Sequence, residues 1–182
     1  MVIEVRFHGR GGQGAVTASK IIANAFVRAG KYGAAFPMFG FERRGAPVSA
    51  FGRFGDAPIR VKTQIYKPDC LIILDPSQEN SDSIWSGLKP NGIILLNTNE
   101  KFEHSNPNIK TAGIIDAAGI ATEEIGMPIP NTCIVGAFAA VTGLIDIKSI
   151  TESLSDYFDK EKLRANIKCA ERGYNEVKIH NF

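Results

Sequence analysis

Gly9-Arg10-Gly11-Gly12-Gln13-Gly14 stands between an apolar, β-branched run and a helical repeat, and it has the composition of an anion seat. Glycines lack a Cβ, so such a loop turns tightly and brings its amides close to a negatively charged group. The helix that follows adds unpaired N–H groups and a partial positive charge at its first turn. A phosphate, pyrophosphate or carboxylate can be held there, with the Arg10 guanidinium contributing charge from inside the loop. The same glycines also suit close strand–helix packing with no ligand at all.

The spacing of Gly9, Gly11 and Gly14 meets the dinucleotide fingerprint. An acidic residue about 20 positions further on, which would bond the ribose hydroxyls, is missing. That region reads Gly33-Ala34-Ala35-Phe36-Pro37-Met38-Phe39-Gly40. Glu42 comes later, followed by Arg43 and Arg44. An arginine suits the 2′-phosphate of NADP. A stand-alone NADP-binding Rossmann oxidoreductase and a nucleotide- or flavin-binding module are therefore the alternatives.

A second stretch, Phe36 to Pro47, combines three phenylalanines, a methionine, two prolines and two adjacent arginines. Apolar side chains beside arginine are a common interface composition, which marks Phe36, Met38, Phe39, Phe41 and Glu42 as a partner surface. Arg43 and Arg44 can clamp a phosphate from the side opposite the glycines. Packing of Phe36, Met38 and Phe39 into the core, with both arginines solvated, is the plainer possibility.

Little else carries chemistry. Cys70, Cys133 and Cys169 are far apart, unlike the closely spaced thiolates of iron–sulfur and zinc sites, and are expected to be reduced and buried. His8, His104 and His180 are scattered and define no metal site. Asp75 and Asp116 end or follow apolar strands, where Asp usually caps. With no nucleophile–base pair and no paired carboxylates, no catalytic residue is assigned.

The 182 residues suffice for a single domain spanning 1–182. A net charge of +2 gives no electrostatic case for nucleic acid, and no apolar run reaches the roughly 18 residues of a membrane span. With no basic, apolar leader at the start, a cytoplasmic location is expected.

Strands are expected at 2–7, 33–36, 48–54, 70–75, 92–97 and 108–112, and a return strand at Ile59–Ile65 would complete a β-hairpin with 48–54 across a turn at 55–58. Helices are expected at 15–29, 79–87, 115–125, 131–141 with Asn131 as N-cap, 147–157 and 160–177. In the last of these, Leu163, Ile167, Ala170, Tyr174 and Val177 mark one apolar face. This alternation predicts a Rossmann-like α/β fold: a twisted, mostly parallel sheet with helices on both faces and a β-hairpin excursion. Ligands of such sheets bind at the carboxyl ends of the strands, where Gly9–Gly14 and 37–45 lie.

Two long motifs carry a family resemblance. Arg6-Phe7-His8-Gly9-Arg10-Gly11-Gly12-Gln13-Gly14-Ala15-Val16-Thr17-Ala18 resembles the start of the γ subunit of 2-oxoacid:ferredoxin oxidoreductases. The stretch Phe36 to Val48 is similar to that family's second signature, with Phe41 in place of an expected proline. Pro58-Ile59-Arg60, the Asn131–Ala137 stretch and residues 166–174 extend the likeness over nearly the whole chain.

The resemblance implies a subunit of pyruvate synthase or a 2-oxoisovalerate-oxidising relative, in anaerobic metabolism, active only with partner α, β and δ subunits. Such enzymes decarboxylate a 2-oxoacid on thiamine diphosphate with magnesium, pass electrons through iron–sulfur clusters to ferredoxin and release an acyl-coenzyme A. Those cofactors are expected on the partners. For this chain itself, packing over the catalytic subunits and binding of the coenzyme A phosphates are expected, because an anion-binding helix start with two guanidiniums nearby brings together Gly9, Arg10, Gly11, Gly12, Gln13, Gly14, Arg43 and Arg44.

Overall fold

A computed structural model describes residues 1–38, 45–103 and 106–182. In chain order the elements are β1 (Val2–Arg10), α1 (Ala15–Arg28), β2 (Tyr32–Pro37), β3 (Pro47–Gly55), β4 (Cys70–Ile73), α2 (Asp82–Trp85), β5 (Gly92–Asn97), β6 (Ile109–Ile115), α3 (Ala117–Ile125), α4 (Asn131–Thr142), α5 (Ile147–Ser153), α6 (Lys160–Glu176) and β7 (Lys178–Asn181). All strands join one seven-stranded sheet in the order β2-β3-β1-β4-β5-β6-β7.

The four strands β1, β4, β5 and β6 are parallel neighbours. β3 lies antiparallel between β1 and β2, and β7 antiparallel against β6. β2 therefore runs in the direction of β1, and the carboxyl ends of β1, β2, β4, β5 and β6 share one edge of the sheet. This is the α/β, mostly parallel architecture expected of alternating strands and helices.

Successive strand residues face opposite sides of a sheet, and the two sides are covered unequally. Val5, Phe7, Cys70 and Ile72 share the larger core with Ile22 and Phe26 of α1, Ile134 and Phe138 of α4, and Ala170 of α6. Leu71, Ile73, Ile94 and Leu96 point the other way, onto Ile84 and Trp85 of the short α2. Near β1 and β3 this second side is polar: Arg53 donates to Glu4 at 2.9 Å and to the carbonyls of Val61 and Thr63.

That polar cover explains one correction. Residues 59–65 do not form the expected return strand. Two of their carbonyls turn inward to accept from Arg53 instead of pairing along a neighbour. The hairpin is made one element earlier, by β2 and β3.

Two further differences come from α4 and α6. Asn131 is the first helical residue, not the N-cap, which is Pro130. Leu163, Ile167, Ala170 and Val177 of the expected α6 face pack on the larger core, but Tyr174 is exposed, and the fully buried stripe is Asn166, Cys169, Ala170 and Gly173. A Cβ on Gly136 would strike the Ala170 carbonyl, and one on Gly173 the Cys133 carbonyl. The two helices thus meet backbone to backbone, and small residues line the seam.

Candidate functional site

The carboxyl edge of the sheet is organised around the turn from β1 into α1. Arg10 N–H donates to Gln13 Oε1 at 2.7 Å, and Gln13 N–H to the Arg10 carbonyl at 3.0 Å. Gly12 and Gly14 hold φ values of +100° and +80°, a region that disfavours a side chain. Gly14 caps α1 in the left-handed conformation with no side-chain hydrogen bond. Among the described residues, the amides of Gly12, Gly14, Ala15, Val16 and Thr17 have no acceptor outside the helix. This is the uncapped helix start that favours an anion.

The two sequence motifs meet here. Gly11 N–H donates to the Ala46 carbonyl at 2.9 Å, and Gly45 N–H returns to the Gly11 carbonyl at 3.2 Å. These bonds bring the end of the 36–47 stretch against the glycine-rich loop. Phe36 turns onto the polar side of the sheet, its ring 5.7 Å from that of Phe51 and 5.6 Å from the Arg53 guanidinium. Met38 is half-exposed. Phe39, Phe41, Glu42, Arg43 and Arg44 lie outside the described residues.

Arg10 is already engaged. Its Nε donates to Asp75 Oδ2 at 2.5 Å, Nη1 to the Gly45 carbonyl at 3.2 Å and Nη2 to Ser77 Oγ at 3.1 Å. Asp75 also accepts from Ser77, and Gln78 Nε2 donates to the Gly9 carbonyl at 2.9 Å. Arg10 and Gln78 thus cross the crevice between β1 and β4, where dinucleotides bind in open α/β sheets. β2 ends on Pro37, not on a carboxylate. Neither feature fits a nicotinamide dinucleotide.

Three supporting positions were not singled out for this rim by sequence reasoning. Asn131 packs on Gly14 so closely that a Cβ there would lie 2.5 Å from its Nδ2. It also lines a cavity of about 700 Å³ together with Lys162 and Asn166. Thr132 Oγ1 donates to Asn166 Oδ1 at 2.7 Å, joining the start of α4 to α6. Asn97 donates to the Leu74 carbonyl and accepts from Ala118 N–H, tying β4 to α3. Asn131 and Thr132 lie in the Asn131–Ala137 stretch that carries part of the family likeness, whereas Asn97 ends an apolar strand with no pattern that marks it. As expected of strand-end carboxylates, Asp75 caps the 3₁₀ turn Pro76–Gln78 and Asp116 caps α3.

Below the loop, His8 accepts from Arg6 Nε at 2.9 Å through Nε2. Burial, and secondly the Arg6 charge, depress its pKa from 6.5 to about 3. His8 is therefore a neutral strap on the sheet. The buried Arg6 guanidinium is satisfied by the carbonyls of Ile84 and Ser86.

Cys70, Cys133 and Cys169 are free and fully buried on β4, α4 and α6. Burial raises the Cys70 pKa, and a hydrogen bond to Cys169 together with burial raises that of Cys133. Among the described residues no group of three or more His, Cys, Asp or Glu is placed to hold a metal ion. The residues present do not fit an iron–sulfur cluster. No helix among them is long and apolar enough to cross a membrane.

The family model for pyruvate ferredoxin/flavodoxin oxidoreductase matches residues 4–176. The chain belongs to this family. It is 47% identical over 185 residues, covering 100% of both chains, to the pyruvate/ketoisovalerate oxidoreductases common subunit gamma of Thermococcus kodakarensis. It is 49% identical over 177 residues to the pyruvate synthase subunit PorC of Methanothermobacter marburgensis, covering 97% of this chain and 98% of the relative. The crystal structure of pyruvate oxidoreductase subunit PORC from Thermotoga maritima superposes with a TM-score of 0.87 at 38% identity, over 99% of each chain. This pyruvate oxidoreductase family member is a γ-type chain, and the full-length likeness to γ subunits leaves the stand-alone NADP enzyme and the flavin module without support.

Proposed function

We propose that this γ-type chain works in the cytoplasm as one member of a hetero-oligomer with α, β and δ companions, oxidising pyruvate or 2-oxoisovalerate. Thiamine diphosphate, magnesium and iron–sulfur clusters belong to the companions, where they supply decarboxylation and electron transfer to ferredoxin. The scattered, buried thiols of this chain support that division of labour. The relative shared by a pyruvate and a ketoisovalerate enzyme supports a substrate pocket lying outside the γ chain.

The chain's own contribution is a rim for coenzyme A. The observation that carries this is the uncapped start of α1 at the carboxyl edge, where among the described residues the amides of Gly12 and Gly14 to Thr17 have no acceptor outside the helix. A coenzyme phosphate placed there is favoured by the helix field. Gly9, Gly11 and Gln13 shape the turn, Arg10 positions it through Asp75, and Arg43 and Arg44 add guanidiniums from the adjoining stretch. Phe36, Met38, Phe39, Phe41 and Glu42 meet a companion subunit.

The test is Arg43→Ala together with Arg44→Ala in the assembled enzyme. KM for coenzyme A is expected to rise at least tenfold, with assembly intact. An unchanged KM with intact assembly eliminates the phosphate clamp and leaves these arginines a docking role.

A further inference from the structure

β2 is an outer strand of the sheet, and its outward edge has an unusual make-up. Its sequence, Tyr32-Gly33-Ala34-Ala35-Phe36-Pro37, contains no charge. Edge strands usually carry charges, bulges or covering segments that stop another chain from pairing. Met38 N–H donates to the Ser49 carbonyl at 2.9 Å, which sets the phase of the ladder. In an antiparallel pair, directly opposed residues alternate between hydrogen-bonded and non-bonded. With the observed register, Tyr32, Ala34 and Phe36 turn their backbone groups towards β3. Gly33, Ala35 and Pro37 turn theirs outward. Pro37, which has no donor, sits at an outward position, as an edge strand permits.

This edge is the floor of a groove. Val27 of α1 forms one wall and Ile59 with Lys62 the other, enclosing about 420 Å³ along Tyr32–Phe36. Val27 is half-exposed, as are Tyr32 and the nearby Val61. Arg60 and Lys62 are exposed, and among the described residues neither has an ion-pair partner. An open strand edge between an apolar helix wall and a cationic wall is the arrangement that receives an added strand.

We propose that the outer edge of β2 receives an extended, acidic segment of a companion subunit as an eighth strand of the sheet. The outward N–H and C=O groups of Gly33 and Ala35 supply the main-chain hydrogen bonds. Small apolar side chains of the guest pack on Val27 and Ile59, and at least one carboxylate meets Arg60 or Lys62. A second copy of this chain is a poorer guest, because two-fold pairing of β2 with β2 brings Arg60 and Lys62 of both copies together. The proposal rests on the chain being a subunit of a hetero-oligomer.

Backbone hydrogen exchange of the free chain and of the purified complex tests it. The Gly33 and Ala35 amides are expected to exchange at least tenfold more slowly in the complex, while those facing β3 change little. Ala35→Pro removes an outward donor without touching the β3 ladder, and Arg60→Glu with Lys62→Glu reverses the cationic wall. Each is expected to weaken association at least tenfold while the free chain keeps its thermal stability. Equal exchange at Gly33 and Ala35 in an intact complex overturns the added strand and leaves the subunit role standing. Protection already present in a free, dimeric chain overturns it in favour of self-pairing. Failure of the chain to join any complex removes the subunit reading itself.

Discussion

Arg10 Nε lies 2.5 Å from Asp75 Oδ2 and so ties the end of β1 to the carboxyl end of its parallel neighbour β4. The pair spans 65 positions in sequence, and its carboxylate is nearly buried while the guanidinium is part-exposed. Losing Arg10 strands a largely desolvated carboxylate, which costs more than the pair contributes. Arg10→Ala is expected to destabilise the fold by about 1–3 kcal/mol, as read by urea unfolding. Asp75→Asn should cost a similar amount, and the double variant less than the sum by about 1 kcal/mol. Additive effects would mean that the two residues act independently.

Gly14 and Gly12 both need positive φ, but only Gly14 is crowded. A Cβ at Gly14 would lie 2.5 Å from Asn131 Nδ2 and 2.9 Å from its Cβ, whereas one at Gly12 meets nothing within 4 Å. Gly12→Ala is therefore expected to cost only backbone strain, about 1–2 kcal/mol. Gly14→Ala should cost about 3 kcal/mol or more, because Asn131 must also move. Thermal or urea unfolding of both variants checks the order, and equal losses would contradict the close approach of α4 to the loop.

His8 makes the fold sensitive to mild acid. Its folded pKa is about 3, against 6.5 for an unhindered imidazole. Between those values the unfolded chain binds a proton that the folded chain refuses. Stability is therefore lost as pH falls through 6.5 towards 3. At pH 5 the loss from this group is about 2 kcal/mol. His8→Gln, which still offers an acceptor to Arg6, should flatten the difference in urea midpoint between pH 7 and pH 5. The same pH dependence in both proteins would show that His8 is not held neutral.

The succession of strand, turn and helix in residues 2–28 was legible, because apolar alternation, clustered glycines and a 3.6-residue repeat are local signals. But β1 runs on through Gly9 and Arg10, which the glycine cluster had marked as loop and which pair with Val48 and Pro47 of β3. The direction and place of β3 were not. Alternation at 48–54 announces a strand without saying that it slots antiparallel between β1 and β2. The residues Ile59, Val61, Thr63 and Ile65 alternate just as well, yet of these only Ile65 is buried. The deciding contact, Arg53 with the Val61 and Thr63 carbonyls, belongs to the tertiary structure. Of the expected α6 face, Leu163, Ile167, Ala170 and Val177 do pack on the core and only Tyr174 does not. The fully buried seam with α4 went unread because small residues at close backbone approach make it, and large apolar side chains are poor guides to such a seam. β7 is short and exposed throughout, so it offered no pattern. At the site, the glycine-rich turn and the uncapped helix start that follows it could be read directly. The neutralisation of Arg10 could not, since it depends on which strand lies beside β1.

On the proposed function, this chain acts only within a larger oxidoreductase. The most direct measurement is coenzyme A-dependent oxidation of a 2-oxoacid, with ferredoxin reduction as readout, by the companion subunits with and without the chain. The chain alone should be colourless and inactive, and adding it should restore acyl-coenzyme A formation to companions that lack it. Companions equally active without it, or reduction of a substrate by the isolated chain with NADPH, would contradict the account.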